Sequence, residues 1–339
     1  MNKGILNGTS LGSLLVLLVV IPGCVIQIGG GPMSARYERQ VTLSAPLQPG
    51  SAFAAQTSDG SITVEGAQVT ECNVIATIVA RAMTEEAARE LAEAIKIKLE
   101  PTANGLATKI EKPLYKRNRN FSVSFDVTTP DRTDLQLTSS DGSVKVADIA
   151  GKVEAKTSDG SISVEDTNGD AKLRTSDGSI TCTKATAGSL ELHTSDGSIR
   201  ILQSSAETCD AHTSDGNITV TEVKGDNLIL RTSDGGIKCR DITAGRLNCR
   251  TSDGPVHIQY AKDVRGPLDV RATTSDGSIT FVGPAGLSAV FDAYTSDGSI
   301  HTELPIAVTG KIGKSLRGTI GTGEGKVYLK TGDGSITIK

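Results

Sequence analysis

Thr-Ser-Asp-Gly-Ser-Ile, identical or in close variants, recurs along this chain with its aspartate at Asp59, Asp141, Asp159, Asp177, Asp196, Asp215, Asp234, Asp253, Asp276, Asp297 and Asp333. From Asp141 to Asp253 the interval is 18 or 19 residues, and it then stretches to 23 and 21. A period of that length means one small supersecondary unit copied many times. Each copy is too small to bury an apolar face alone and must stack on its neighbours.

Aligning the units on the aspartate exposes alternating columns. Six residues before it stand Phe53, Leu135, Val153, Ala171, Leu190, Cys209, Leu228, Leu247, Val270, Phe291 and Val327, and four before it another apolar column runs from Ala55 to Leu329. Three after it every unit has Ile or Val. Five after it the column is apolar from Val64 to Ile338, with Thr302 the polar exception. Period-two alternation predicts two short strands per unit, each apolar on one face. Ser-Asp-Gly between them predicts a turn, with Asp bonding nearby backbone N–H groups and Gly accepting positive φ. A further Gly about ten residues on, as at Gly151, Gly169, Gly188, Gly225 and Gly245, marks a return loop.

Two architectures fit these columns: a hairpin meander, or a solenoid whose strands face each other across a thin core and pair with the rungs above and below. A meander leaves its many apolar faces without a covering layer, so the residues favour the solenoid. Composition agrees, with 37 glycines, no Trp and few other aromatics, which suits short strands better than a thick globular core. The last unit ends on a strand at Lys339, predicting an exposed edge through which copies could associate.

Residues 68–133 interrupt the array. Cys72 to Ala82 reads as a strand. Thr84-Glu85-Glu86 then opens a helix, with an N-cap and acids at the positive end of its dipole, and Ala88, Leu91, Ala92 and Ile95 form its apolar stripe. Strands follow at Leu106 to Ile110 and Phe121 to Val127. The helix is expected to cover one end of the solenoid.

The N-terminus carries Lys3 and an apolar run from Leu11 to Ile21, short for a membrane span, as in an export signal. It closes on Ile21-Pro22-Gly23-Cys24, which resembles the lipobox of bacterial lipoproteins. That resemblance implies cleavage before Cys24, diacylation of its thiol and stable anchoring. Val25 stands where retention signals carry Asp, favouring an outer membrane or cell-surface destination. The expected division is 1–23 signal peptide, 24–36 lipidated Cys and tether, and 37–339 solenoid, with 68–133 as a strand-helix-strand insertion and 134–339 as the repeat array.

The succession of strand, Glu/Ala-rich helix, Phe121-Ser-Val-Ser-Phe-Asp-Val, Pro130 and Leu135-Gln-Leu-Thr-Ser-Ser-Asp-Gly-Ser-Val resembles the bacterial toast-rack family, DUF4097, which carries a provisional adhesin label. The likeness runs from about Tyr37 to Lys339. It implies an all-β chain wound as a single-stranded right-handed parallel β-helix, a β-solenoid of the pectate-lyase-like kind, with one helix-containing insertion near the N-terminus.

Candidate chemistry is sparse. Stacking would set Asp141, Asp159, Asp177, Asp196, Asp215, Asp234 and Asp253 in a ladder about 5 Å apart, read as a structural turn ladder rather than a calcium site, because each rung supplies one acid. Three residues before each aspartate, an outward column holds Lys156, Arg174, His193, His212, Arg231 and Arg250, and then Lys330. It is a candidate polyanion-binding stripe, or else a solvated row offsetting the aspartates. Two stacked histidines without Cys or acid partners make a poor metal site. Cys182, Cys209, Cys239 and Cys249 fall in apolar columns as small hydrophobes, and only Cys239 with Cys249 could meet across the core. Catalytic β-helices use clustered, non-repeating carboxylates, and no break in the columns supplies them. A net charge of −4 argues against nucleic acid. The expectation is a non-catalytic, lipid-anchored envelope or surface protein without a cofactor, presenting an adhesion or matrix-contact surface. The alternative is a periplasm-facing scaffold or sensor for envelope polymer, and a polysaccharide-active enzyme ranks third. Expected partners are the membrane, through the lipid, and an envelope polysaccharide or other cell-surface component.

Overall fold

The computed structural model describes residues 17–21, 25–27, 34–113, 120–309 and 313–339. The apolar run up to residue 16 and Cys24 lie outside the described residues. Leu17–Ile21, inside the expected signal, lies antiparallel to Ala35–Pro46.

The chain is an all-β solenoid. The strand before each Ser-Asp-Gly turn pairs in parallel with its counterpart one unit on, as Val153 with Ala171 and Ala171 with Leu190, and these strands form a leading sheet. The strands after the turn do likewise in a trailing sheet, as Ile180 with Ile199 and Ile199 with Ile218. The hairpin meander is thereby excluded. All four apolar columns are buried except at Thr302, because in-register stacking turns each period-two face inward.

The turn works differently from its sequence-based reading. No turn aspartate side chain accepts a hydrogen bond or an ion pair among the described residues; Asp159, Asp177 and Asp196 instead use their backbone N–H, bonded to a serine carbonyl one rung back. The buried threonine two residues earlier carries the turn. Thr175 Oγ1 donates toward the Ser158 and Gly160 carbonyls of the preceding rung at 3.0 and 2.9 Å, and accepts the Gly178 N–H at 3.3 Å. Thr194, Thr213, Thr232 and Thr251 repeat the arrangement. The serine after each glycine adds a second ladder: Ser161 Oγ accepts the Ser179 N–H, Ser179 Oγ that of Ser198, and Ser198 Oγ that of Asn217, at 3.2 to 3.3 Å. The turn glycines do not have positive φ. They are required by close approach, since a Cβ on Gly178 would meet the Gly160 carbonyl oxygen at 2.0 Å.

The return loop holds Gly151 and Gly169 as expected, whereas Gly188, Gly225 and Gly245 fall within strands. Positive φ falls seven residues after the aspartate, on Asp148, Asp166, Lys184, Gln203, Glu222 and Asp241, rather than on the later glycines as a class. The next residue turns inward, burying Ile149, Ala185, Val223 and Ile242. The central rungs then gain a short third side, where Thr186, Ser205, Lys224 and Thr243 stack in register. The core is therefore three-sided rather than a thin two-sided slab.

Neither end follows sequence order. At the first, the Asp59 unit is sandwiched between the array and the insertion: Ala52–Gln56 pairs in parallel with Gly105–Glu111, and Ile62–Ala67 with Asn120–Pro130. Outboard the pairing becomes antiparallel, Asn120–Pro130 with Glu71–Ala82 and that strand with Ala35–Pro46. The helix Glu85–Ala94 packs on these last two strands through Ala88, Leu91 and Ala92, with Thr84 Oγ1 accepting the Ala87 N–H at 3.2 Å. Arg39 Nη2 donates to the Ile95 carbonyl at 2.7 Å, satisfying one group at the helix C-terminus.

At the far end Gly325–Thr331 and Ile336–Ile338 form the penultimate rung. Gly325–Thr331 lies between Asp269–Thr273 and Ala289–Thr295, and Ile336–Ile338 between Ile279–Val282 and Ile300–Thr302. The antiparallel strands Ser315–Ile320 and Ala307–Val308 cover the leading sheet beyond. The last strand is thus interior, which overturns the expectation of an exposed C-terminal edge.

Candidate anion-binding face

The stripe residues do share one row. On the outer face of the leading sheet the register runs Lys156, Arg174, His193, His212, Arg231, Arg250, Thr273, Lys330 and Tyr294. They point outward because the strand alternates and its apolar columns are buried.

The row is not uniformly cationic. Glu191, in the neighbouring row, lies 3.1 Å from Lys172 and 3.9 Å from Arg174, and Asp210 lies 3.2 Å from Arg231. The His193 and His212 rings stack at 5.0 Å between centroids. Burial, then His212 and Arg174, push the His193 pKa below its ordinary value, with Asp210 opposing. The middle of the stripe is therefore a stacked imidazole pair rather than a run of Lys and Arg, and the flanking Arg174 and Arg231 offset Glu191 and Asp210 rather than the turn aspartates.

Past Arg231 the character changes. A groove of about 480 Å³ is lined by Arg231, Asn248, Arg250, Arg271, Tyr328 and Lys330 with Thr and Ser of the adjacent turns, and no carboxylate lines it. Arg250 and Lys330 make no ion pair among the described residues, and the Arg271 guanidinium lies 4.4 Å from the centre of the Tyr328 ring. Tyr294, 42% exposed, sits in register with Lys330. Cations unopposed by acid, beside aromatic rings, suit an anionic ligand with apolar ring faces. Arg271 and Tyr328 were invisible to sequence reasoning, because their contact depends on the last unit inserting beside Asp269–Thr273. The only available signal was that Lys330 and Arg271 fall in outward columns of their units.

Other predicted positions carry no ligand chemistry. No group of three or more His, Cys, Asp or Glu residues is placed to hold a metal among the described residues. The buried cysteines are free thiols. Burial pushes Cys209 up to about 12, and Cys249 is raised by its hydrogen bond to Cys239 and by burial, so these two meet across the core unbridged.

Fold and site together define a β-solenoid with a repeat-built scaffold and a cationic groove that no carboxylate lines. The Toastrack DUF4097 family profile matches residues 152–339, and the chain belongs to that family. No curated protein matches it. Among solved structures it is similar to a provisionally named cell adhesion protein from Clostridium sporogenes ATCC 15579, at 10% identity over 88% of this chain and 98% of that one, TM-score 0.24. It is also similar to a provisionally named lipid binding protein from Parabacteroides distasonis ATCC 8503, at 15% identity over 88% and 96%, TM-score 0.39. A provisionally named adhesin from Bacteroides fragilis NCTC 9343 aligns at 15% identity over 88% and 97%, TM-score 0.34.

Proposed function

We propose that this chain is a non-catalytic bacterial envelope protein, anchored through a lipid on Cys24, that holds a rigid solenoid against an acidic polymer of the envelope or surrounding matrix. The observation that carries this reading is the groove of Arg250, Arg271, Lys330 and Tyr328, cationic, aromatic and free of lining carboxylates. A rigid, periodic scaffold supports it, since a surface built on stacked rungs is ordered before contact and loses little entropy on binding. We also infer that the winding is right-handed, single-stranded and of the pectate-lyase-like kind. The parallel in-register ladders and three-sided rungs support that inference.

The groove is tested by acetylating lysines with and without oligogalacturonate and reading each site by mass spectrometry. Lys330 is expected to react roughly tenfold more slowly with the oligomer at low ionic strength, the protection fading as salt screens it. Arg250→Ser with Arg271→Ser should abolish it. Equal Lys330 reactivity with and without oligomer would sink the reading. Location is tested by protease treatment of intact cells beside a Cys24→Ser variant. Digestion on intact cells, with the variant released to the soluble fraction, is expected. Protection until the envelope is breached would turn the same groove inward, to a periplasm-facing scaffold or sensor.

A further inference from the structure

The trailing sheet carries a second cationic surface that the stripe does not touch. Its outward row sets Arg200, Thr219, Lys238 and His257 on four successive rungs in exact register. Arg240 lies on the same strand as Lys238, and Arg200, Lys238 and Arg240 are all exposed. These residues, with Ser198, Asn217 and Pro255, line a shallow groove of about 580 Å³ that no carboxylate enters. None of the three cations makes an ion pair among the described residues, and the nearby Asp241 accepts from Gln259 at 3.4 Å. The local field is positive: burial first, then Lys238 and Arg240, hold the His257 pKa below its ordinary value, and no acid opposes them.

From these observations we infer that the trailing sheet is a separate binding face for a linear acidic polysaccharide lying along the solenoid axis. Rungs repeat about every 4.8 Å, so Arg200 and Lys238, two rungs apart in the row, hold cations roughly 10 Å from each other along the axis, with Arg240 beside Lys238, toward a chain whose charges also recur along its length. Ser198, Asn217 and Thr219 supply hydroxyl and amide partners for sugar hydroxyls. Pro255 is the only exposed apolar side chain lining the groove, which disfavours membrane insertion. The half-buried His257 imidazole is its only aromatic ring, against the succession of rings on which a single-stranded nucleic acid stacks. This face stands independently of the groove on the leading sheet. Two such faces on one rigid body would let a single molecule bridge two polymer chains.

The test uses the mature-length protein carrying Arg250→Ser and Arg271→Ser, so that the leading-sheet groove is disabled. Oligogalacturonate is expected to slow acetylation of Lys238 roughly tenfold at low ionic strength. Adding Arg200→Ser and Arg240→Ser should remove the protection while leaving the thermal midpoint unchanged, both positions being outward and unpaired. The inference is overturned if Lys238 reacts equally with and without the oligomer, or stays protected in the fourfold variant. It also fails if poly(glycerol phosphate) or anionic vesicles protect Lys238 where oligogalacturonate does not. Protection of Lys238 in a protein whose Lys330 was never protected would separate this face from the reading of the leading sheet.

Discussion

Gly197→Ala is expected to lower stability by roughly 3 kcal/mol or more, although Gly197 sits in an ordinary-looking surface turn. An added Cβ would lie 1.9 Å from the Gly178 carbonyl oxygen and 2.4 Å from its carbon. Both are backbone atoms of the rung before and cannot rotate aside. The same carbonyl accepts from Thr194 Oγ1 at 2.9 Å, and the Ser195 N–H bonds Ser176 at 2.8 Å, so the two rungs cannot separate without breaking the turn ladder. Gly286→Ala, where nothing lies within 4 Å, serves as the control and should change stability by no more than about 0.5 kcal/mol. Denaturant or thermal unfolding of the two variants checks this. Equal midpoints would mean that the glycine column serves turn flexibility rather than rung approach.

Ending the chain after Ile320 is expected to disorder far more than the residues removed. Residues 321–339 supply Gly325–Thr331 and Ile336–Ile338, each held between two other strands. Without them, Ala289–Thr295 keeps only its antiparallel partner Ser315–Ile320, and Ile300–Thr302 loses its partner altogether. Hydrogen exchange should show protection across 289–320 falling by about two orders of magnitude, while rungs from Val153–Lys156 to Lys224–Arg231 stay protected, because solenoid rungs answer mainly to their neighbours. Asp269–Thr273 and Ile279–Val282 become an uncovered edge, and concentration-dependent association should appear in light scattering. If the rungs stacked in chain order, the same cut would remove only a terminal rung and leave 289–320 protected.

Much of the fold was legible because a repeat reports itself. Period-two columns named the buried residues of both sheets, and Thr84 with its following acids located the helix start. The role of each turn residue was harder to read, since a column identical in every unit does not reveal what it touches. Asp stands in all eleven turns, yet the buried Thr two residues before it, or Ser139 in the Asp141 unit, makes the bonds. Gly looked conformational and proved steric. The candidate site was half visible: its cations occupied an outward column, but Glu191 and Asp210 neutralise part of that column from the next row.

By itself the sequence determined the rung: its length, its two apolar faces and the requirement that it stack, since short amphipathic strands have no other way to bury those faces. Only the tertiary structure decided the order of stacking at the two ends and the pairing of Arg271 with Tyr328. The physical reason is that near-identical rungs offer near-identical ladders to any neighbour. Which unit lies beside which is then settled by the connections and antiparallel caps, whose contacts join residues far apart in the chain and leave no period to read.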